Sequence, residues 1–247
     1  MIGKAPLGGY RGRGLHGEVV ERLGQRILSG ELAEGATLEL TELEAELDVS
    51  RSVIREALRV LKAKGLIDAR QKRGTFVQPR AEWTLLDADV IRWQFEGRSA
   101  EQLLSDLAEL RGIIEPASAG LAALRRTDED LAALEQALES MSAAAQGDGD
   151  AVEADLAFHR ALLAATHNEL LIRAEAVLEA GLAVRDRLVH EAQHDDPTSE
   201  HAAILDAIRD VDAARAIDAA SALLAKSLLD LDHVRHDDSR LPEQRQK

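Results

Sequence analysis

The sequence has no cysteine, so disulfides, thiolate metal sites and a cysteine nucleophile are all excluded. Aromatic residues are nearly as scarce, at 2%. That is too few for a β-sandwich or barrel, which lean on aromatic and β-branched side chains. No apolar run approaches the ~20 residues that a membrane span needs. The stretch Met1–Gly14 is glycine-rich and basic with no apolar core, so it does not read as a secretory signal. These absences predict a cytoplasmic protein with no membrane partner. What remains is an ordinary globular composition, 45% apolar and 30% charged over 247 residues. That length suffices for one large domain or two ordinary ones, each with its own core.

The net charge of −15 argues against nucleic acid only until its distribution is read. Residues 1–80 hold 14 Lys and Arg against 11 Asp and Glu, a net of +3, and the remainder carries −18. A basic first third joined to an acidic remainder suggests a nucleic-acid-binding module attached to something that avoids phosphates.

Residues 1–14 read as a flexible basic tail. Val19, Val20, Leu23, Ile27 and Leu28 have helical spacing, and Gly30 stops the helix. Thr41-x-x-Glu44 has the spacing of a capping box, which predicts a second helix beginning at Thr41. After the turn Asp48–Ser50, a third helix runs to Lys64. Ile54, Ala57, Leu58 and Leu61 form its apolar stripe, and Arg51, Arg55, Arg59 and Lys62 its basic one. Two short β-like runs, 66–70 and 75–78, are joined by the basic turn Gln71-Lys72-Arg73-Gly74. Everything after Trp83 reads as helix with short connections, including a start at Thr127-x-x-Asp130 and a long segment through Pro116. An antiparallel bundle is the natural packing. The sequence therefore predicts a mainly α protein with four segments: a tail over 1–14, a winged helix-turn-helix over 15–80, an all-helical domain over 81–235, and a polar tail over 236–247.

In a helix-turn-helix, the second helix of the pair presents its N-terminal residues to base edges in the major groove. Here that end is Ser50-Arg51-Ser52-Val53-Ile54-Arg55. Arg51 and Arg55 lie four apart on one face, as paired readers of guanine need to be. Ser50 and Ser52 suit phosphate or base acceptors, Arg59 and Lys62 suit the backbone, and Lys72, Arg73 and Gly74 form a wing tip for the minor groove. The alternative is a solvated basic helix face.

The ordered pattern Leu28-Ser29-Gly30-Glu31-Leu32-Ala33-Glu34-Gly35, Val49 to Leu58, Lys64-Gly65-Leu66-Ile67 and Arg73-Gly74-Thr75-Phe76-Val77 resembles the DNA-binding domain of the GntR family of bacterial transcription regulators. In that family the second helix usually opens with an Arg that reads a base. Thr41 stands where that Arg falls, so the resemblance implies weaker readout there and a larger share for Arg51 and Arg55.

Asp155 and His159 are four apart, a spacing at which a carboxylate and an imidazole can hold one divalent metal, and His201 follows in another helix. An i,i+4 ion pair gives the same spacing. Residues 84–235 resemble the FadR-type effector domain (FCD) through Leu110 to Pro116, Asp155-Leu156-Ala157-Phe158-His159, Asn168 and Glu200 to Ile208. The resemblance implies a divalent metal, zinc by choice, on Asp155, His159 and His201. It also implies a fourth ligand in the last helix, where this sequence has Leu223. Arg111 matches an Arg that meets an anionic effector, with Asn168 beside it; otherwise Arg111 simply pairs with Glu115 on a helix surface. The segment 82–93 resembles the leading segment of regulators of sugar-acid operons, such as galactonate and gluconate repressors, or else Trp83 and Trp93 cover a seam. The expectation is a homodimeric repressor, not an enzyme, that binds an inverted-repeat operator of double-stranded DNA and is released by a small carboxylate. The rival is a metal-dependent hydrolase using Asp155, His159 and His201.

Overall fold

The computed structural model describes residues 14–95, 100–175, 177–179 and 198–238. The chain divides into two compact units, Met1–Leu103 and Leu104–Lys247. The sequence tails at 1–13 and 239–247, and most of the helix expected over 168–191, lie outside the described residues.

The first unit opens with α1 (Leu15–Leu28), whose buried face carries Val19, Val20, Leu23, Gly24 and Ile27. Strand β1 (Thr37–Leu38) leads into α2 (Leu40–Leu47), and Asp48, in the left-handed region at φ 51°, turns the chain into α3 (Arg51–Ala63). α3 buries Ile54, Ala57, Leu58 and Leu61, the predicted stripe. Strands β2 (Ile67–Arg70) and β3 (Gly74–Val77) form the expected hairpin, antiparallel with Arg70 opposite Gly74. β1 adds to the free side of β3, so the wing is a three-stranded sheet in the order β1-β3-β2. The sequence reading contains no β1, because two residues are too few to show alternation.

Two expectations change here. The capping box at Thr41 does not form: α2 begins one residue earlier, its N-cap is Glu39, and no side chain caps it. Thr41 is an exposed residue of the first helical turn. The sequence boundary at 80 also differs from the structural one. A 3₁₀ turn (Arg80–Glu82) leads to α4 (Ala88–Phe95), and Val90 and Trp93 of α4 belong to the same buried cluster as Leu23, Ile27 and Leu61. Trp93 is 1% exposed, and its ring lies where a side chain on Gly24 would stand. Lys64, at the C-cap of α3, pairs with Asp87 at 2.8 Å and with buried Asp89 at 2.7 Å. Arg92 forks onto Glu21 of α1. α4 is thus an integral part of the first unit, held by apolar burial that a short local pattern does not announce.

The second unit is all helix among the described residues. α5 (Ala100–Arg125) continues without a break through Pro116. α6 (Asp128–Ala145) begins with the expected capping box, Thr127 and Asp130 each bonding the other's backbone N–H. α7 (Ala151–Ala164) is capped by the Asp150 carboxylate, which accepts from Val152 and Glu153. A helix α8 starts at 169, described over 169–175. α9 (Thr198–Arg209) and α10 (Ala213–Asp238) complete the unit, α10 reaching past the limit at 235 expected from the sequence. Ala119, Ala122, Leu134, Phe158, Leu162, Ile204, Ile208, Ala216 and Leu223 share one core. Its alanines let helices approach closely, which explains a core built with so few aromatics. No helix among the described residues is long and apolar enough to cross a membrane.

Candidate DNA interface and metal centre

α3 presents Arg51, Ser52, Arg55, Arg59 and Lys62 to solvent, opposite the buried stripe. Ser50 is the N-cap, but its hydroxyl meets that of Ser52 at 2.9 Å rather than capping the helix. The basic face is not uniformly free. Arg59 pairs with Glu56 at 2.6 Å and Lys62 with Asp68 at 2.9 Å, while Arg51 is 4.0 Å from Glu44. Such exposed pairs are weak and exchange readily for phosphate. At the wing, Lys72 (φ 71°) and Gly74 (φ 78°) both take the left-handed conformation that the turn requires. Arg73 stacks on Phe76, its guanidinium carbon 3.6 Å from the ring centroid, so the wing-tip cation is held against the sheet. The structure therefore brings Ser50, Arg51, Ser52, Arg55 and Arg59 to one helix face, and Lys72, Arg73 and Gly74 to one turn. Thr41 lies on the preceding helix.

In the second unit, Asp155 and His159 of α7 and His201 of α9 are 5%, 5% and 1% exposed. One ligand atom from each lies within 4.8 Å of the others. The two imidazoles address the two oxygens of one carboxylate: His201 Nε2 is 3.2 Å from Asp155 Oδ1, and His159 Nε2 is 3.5 Å from Asp155 Oδ2. Ligand atoms at opposite ends of a tetrahedral edge around zinc stand about 3.4 Å apart, given bonds of roughly 2.0–2.1 Å. The donor set and its spacing fit a divalent metal. Phe158 packs edge-on against His201, with ring centroids 4.8 Å apart, and so fixes that ligand from the core side. Burial pushes the His159 imidazole below its ordinary pKa, against the pull of Glu115 and Asp155. The neutral ring is the form that ligates. Leu223 lies in the buried core of the same unit, on α10.

Arg111 differs from both readings of the sequence. It does pair with Glu115, but not on a surface: the side chains are 7% and 3% exposed. Arg111 Nε donates to Glu115 Oε1 at 2.5 Å and Nη2 to Oε2 at 3.3 Å. Burial alone raises the Glu115 pKa, yet the charge and hydrogen bonds of the Arg111 guanidinium outweigh it and hold the carboxyl below its usual range. The fork expected to grip an effector is thus engaged by an internal carboxylate. Glu115 itself, 3.3 Å from His159 Nδ1, is the site residue that sequence reasoning missed. Its one signal was the i,i+4 spacing from Arg111, which also fits an exposed pair. Asn168, half-buried, accepts from the Leu170 N–H at 3.0 Å and so starts α8.

The profile of bacterial regulatory proteins of the gntR family matches residues 15–77, and that of the FCD domain matches residues 106–226. The galactonate operon transcriptional repressor of Escherichia coli (strain K12) is 39% identical over 195 residues, covering 77% of this chain and 85% of its own length. The HTH-type transcriptional repressor NanR of Klebsiella aerogenes is 32% identical over 198 residues, covering 78% of this chain and 75% of its own. Among solved structures, Lar of Listeria monocytogenes superposes with a TM-score of 0.61 at 18% identity, covering 90% of this chain and 98% of its own. McbR/YncC of E. coli gives a TM-score of 0.51 at 19% identity, covering 89% and 98%. At these identities the two structures establish a shared fold.

Proposed function

The chain belongs to the GntR family of bacterial regulatory proteins and carries an FCD domain, which makes it a ligand-responsive DNA-binding transcription regulator and not an enzyme; from this premise we propose a metal-loaded, cytoplasmic, homodimeric repressor of a sugar-acid operon. The observation that carries the proposal is the buried cluster of Arg111, Glu115, Asp155, His159 and His201. Its three protein donors suit a divalent cation, and a buried cation favours an anionic oxygen beside it.

Asp155, His159 and His201 hold the metal, most suitably zinc. Bound there, it supplies a cationic position for an effector oxygen, because three protein ligands leave one place in a tetrahedral shell. Leu223 stands where a fourth protein ligand is expected from family resemblance. Arg111 offers a second anchor by sharing its guanidinium between Glu115 and the effector carboxylate, and Asn168 contributes a polar contact. An aldonic acid, with a carboxylate beside hydroxyls, suits both anchors, and the galactonate operon repressor among the relatives points to the same class.

Exposed apolar side chains on α5 and α10, Ile113, Leu124, Leu228 and Leu229, support a second copy as the partner. Two copies of α3 then meet the halves of an inverted-repeat operator. Arg51 and Arg55 read bases there, with Ser50, Ser52, Arg59 and Thr41 on base or backbone, and Lys72, Arg73 and Gly74 in the minor groove. Effector binding favours the low-affinity arrangement of the dimer and releases the DNA.

The test is a panel of ligands scored by operator release. Gluconate or galactonate releases the protein, neutral sugars do not, and Arg111→Ala abolishes release while leaving operator affinity intact. Metal analysis of the purified protein finds about one divalent ion per chain, lost in His201→Ala. If no sugar acid acts and an aromatic or long-chain ligand does, the effector assignment is overturned and the DNA-binding assignment stands.

A further inference from the structure

Glu115 is 3% exposed, and burying a carboxylate costs several kcal/mol that only close partners can offset. An i,i+4 pair with Arg111 forms as easily on a solvated face, where it costs little. Here the pair is turned inward, and its location puts Glu115 against a third group. Oε1 accepts from Arg111 Nε, while Oε2 accepts from Arg111 Nη2 and stands 3.3 Å from Nδ1 of His159. Nδ1 makes no hydrogen bond of regular geometry, and a small rotation of the ring turns the 3.3 Å contact into one. The other ring nitrogen, Nε2, points at Asp155 Oδ2. Glu115 on α5 and Asp155 on α7 therefore face opposite nitrogens of one imidazole.

A neutral imidazole carries one proton, and the two carboxylates compete for it. With the proton on Nε2, directed at Asp155, the lone pair of His159 lies on Nδ1, turned toward Glu115 and away from the other two metal donors. With the proton on Nδ1, directed at Glu115, the Nε2 lone pair faces Asp155 and His201. Ligating histidines are commonly held in this way by a carboxylate on the far nitrogen, which fixes the tautomer and raises the ligand's basicity.

We propose that Glu115 is the positioning residue of the metal centre: held by Arg111, it keeps the His159 proton on Nδ1 and aims Nε2 at the position between Asp155 and His201. The proposal rests on the metal reading above. It gives Arg111 a second role, since the guanidinium that meets an effector also restrains the carboxylate behind a metal ligand. The two binding events then share one residue pair.

The experiment measures zinc dissociation constants of the full-length protein by competition with a chromogenic chelator. Glu115→Gln weakens zinc by about 10- to 100-fold, the usual effect of losing such a partner. Because that variant strands the Arg111 charge in the interior, a second one, Arg111→Met with Glu115→Gln, replaces the pair with uncharged chains of similar length. The double variant recovers the metal-free unfolding midpoint but not the zinc affinity. In the metal-free protein, ¹⁵N spectra of histidine show His159 protonated on Nδ1, moving toward Nε2 in both variants. Wild-type zinc affinity in a stably folded double variant, or an unchanged tautomer, overturns the proposal. Failure of the underlying metal reading looks different: the wild-type protein and His201→Ala then hold zinc equally weakly, and both statements fall together.

Discussion

Replacing Gly24 by Ala tests the placement of α4 directly. In a helix interior this substitution ordinarily stabilises by about 1 kcal/mol, because alanine loses less backbone entropy on folding. Here the new Cβ stands 2.6 Å from Cε3 and Cζ3 of Trp93 and 2.7 Å from Cη2. Ordinary carbon contacts are about 3.5–4.0 Å, so the ring must retreat by roughly 1 Å. It is rigid, 1% exposed, and enclosed with Val90, Leu23 and Ile27. Overpacking of this kind costs about 1–3 kcal/mol, and outright expulsion of the indole costs about 3–5 kcal/mol. Subtracting the helix gain leaves Gly24→Ala destabilising by about 0–2 kcal/mol if the ring shifts, and about 2–4 kcal/mol if it leaves. The chain has two tryptophans, both in the first unit, so a Trp83→Phe background makes emission report on Trp93 alone. Urea unfolding followed by that emission should show a lower midpoint and a red-shifted native spectrum. Gly112→Ala, in the second unit and followed by far-UV circular dichroism, is the control: a Cβ there meets nothing within 4 Å, so it should stabilise. If Gly24→Ala also stabilises, with the Trp93 spectrum unmoved, α4 does not pack on α1 as described.

Arg51→Ala should cost about 1–3 kcal/mol in operator binding and relax base preference, whereas Lys62→Ala should weaken all sequences alike and reduce the salt slope by up to about 1; titrations at several salt concentrations separate the two. Leu223→His should tighten metal retention, read as slower zinc loss to a chelator, if α10 presents that position to the centre. The Arg92 hydrogen bond holds the Glu21 carboxyl below its ordinary value of 4.5, so this pair stabilises the folded state above that pH and ceases to do so as pH falls through the lower folded value. Glu21→Gln should therefore lower the first unit's stability to urea at pH 7, by about 0.5–1 kcal/mol for a half-exposed pair, and have little effect at pH 3. An equal deficit at both pH values refutes that assignment.

The parts of the fold legible in the sequence were those fixed by local period and capping. The α3 stripe of Ile54, Ala57, Leu58 and Leu61 is buried as its spacing requires, and Thr127 and Asp130 cap α6 with the reciprocal bonds their spacing implies. Illegible parts depended on what approaches from elsewhere in the chain. Thr41 has capping chemistry, but the backbone enters the helix one residue earlier, so the same three-residue spacing closes no box. β1 is a strand because β3 offers it a free edge. At the centre, i,i+4 spacing placed Asp155 with His159 and Arg111 with Glu115, yet spacing on one helix cannot say which face is buried. His201 joins from α9, and Glu115 reaches His159 from α5, through packing between helices.

The lysine that caps α3 and the tryptophan seated against Gly24 bear on how such regulators are recombined. A chimera intended to exchange operator preference is naturally cut where the wing ends, near residue 80. That junction parts Lys64 from Asp87 and Asp89, and Glu21 from Arg92, and asks a foreign helix to fill the notch at Gly24. A graft carried through Phe95 transfers the reading helix together with its own lock. The transplantable cassette of this protein is thus longer than its DNA-binding motif by one short helix.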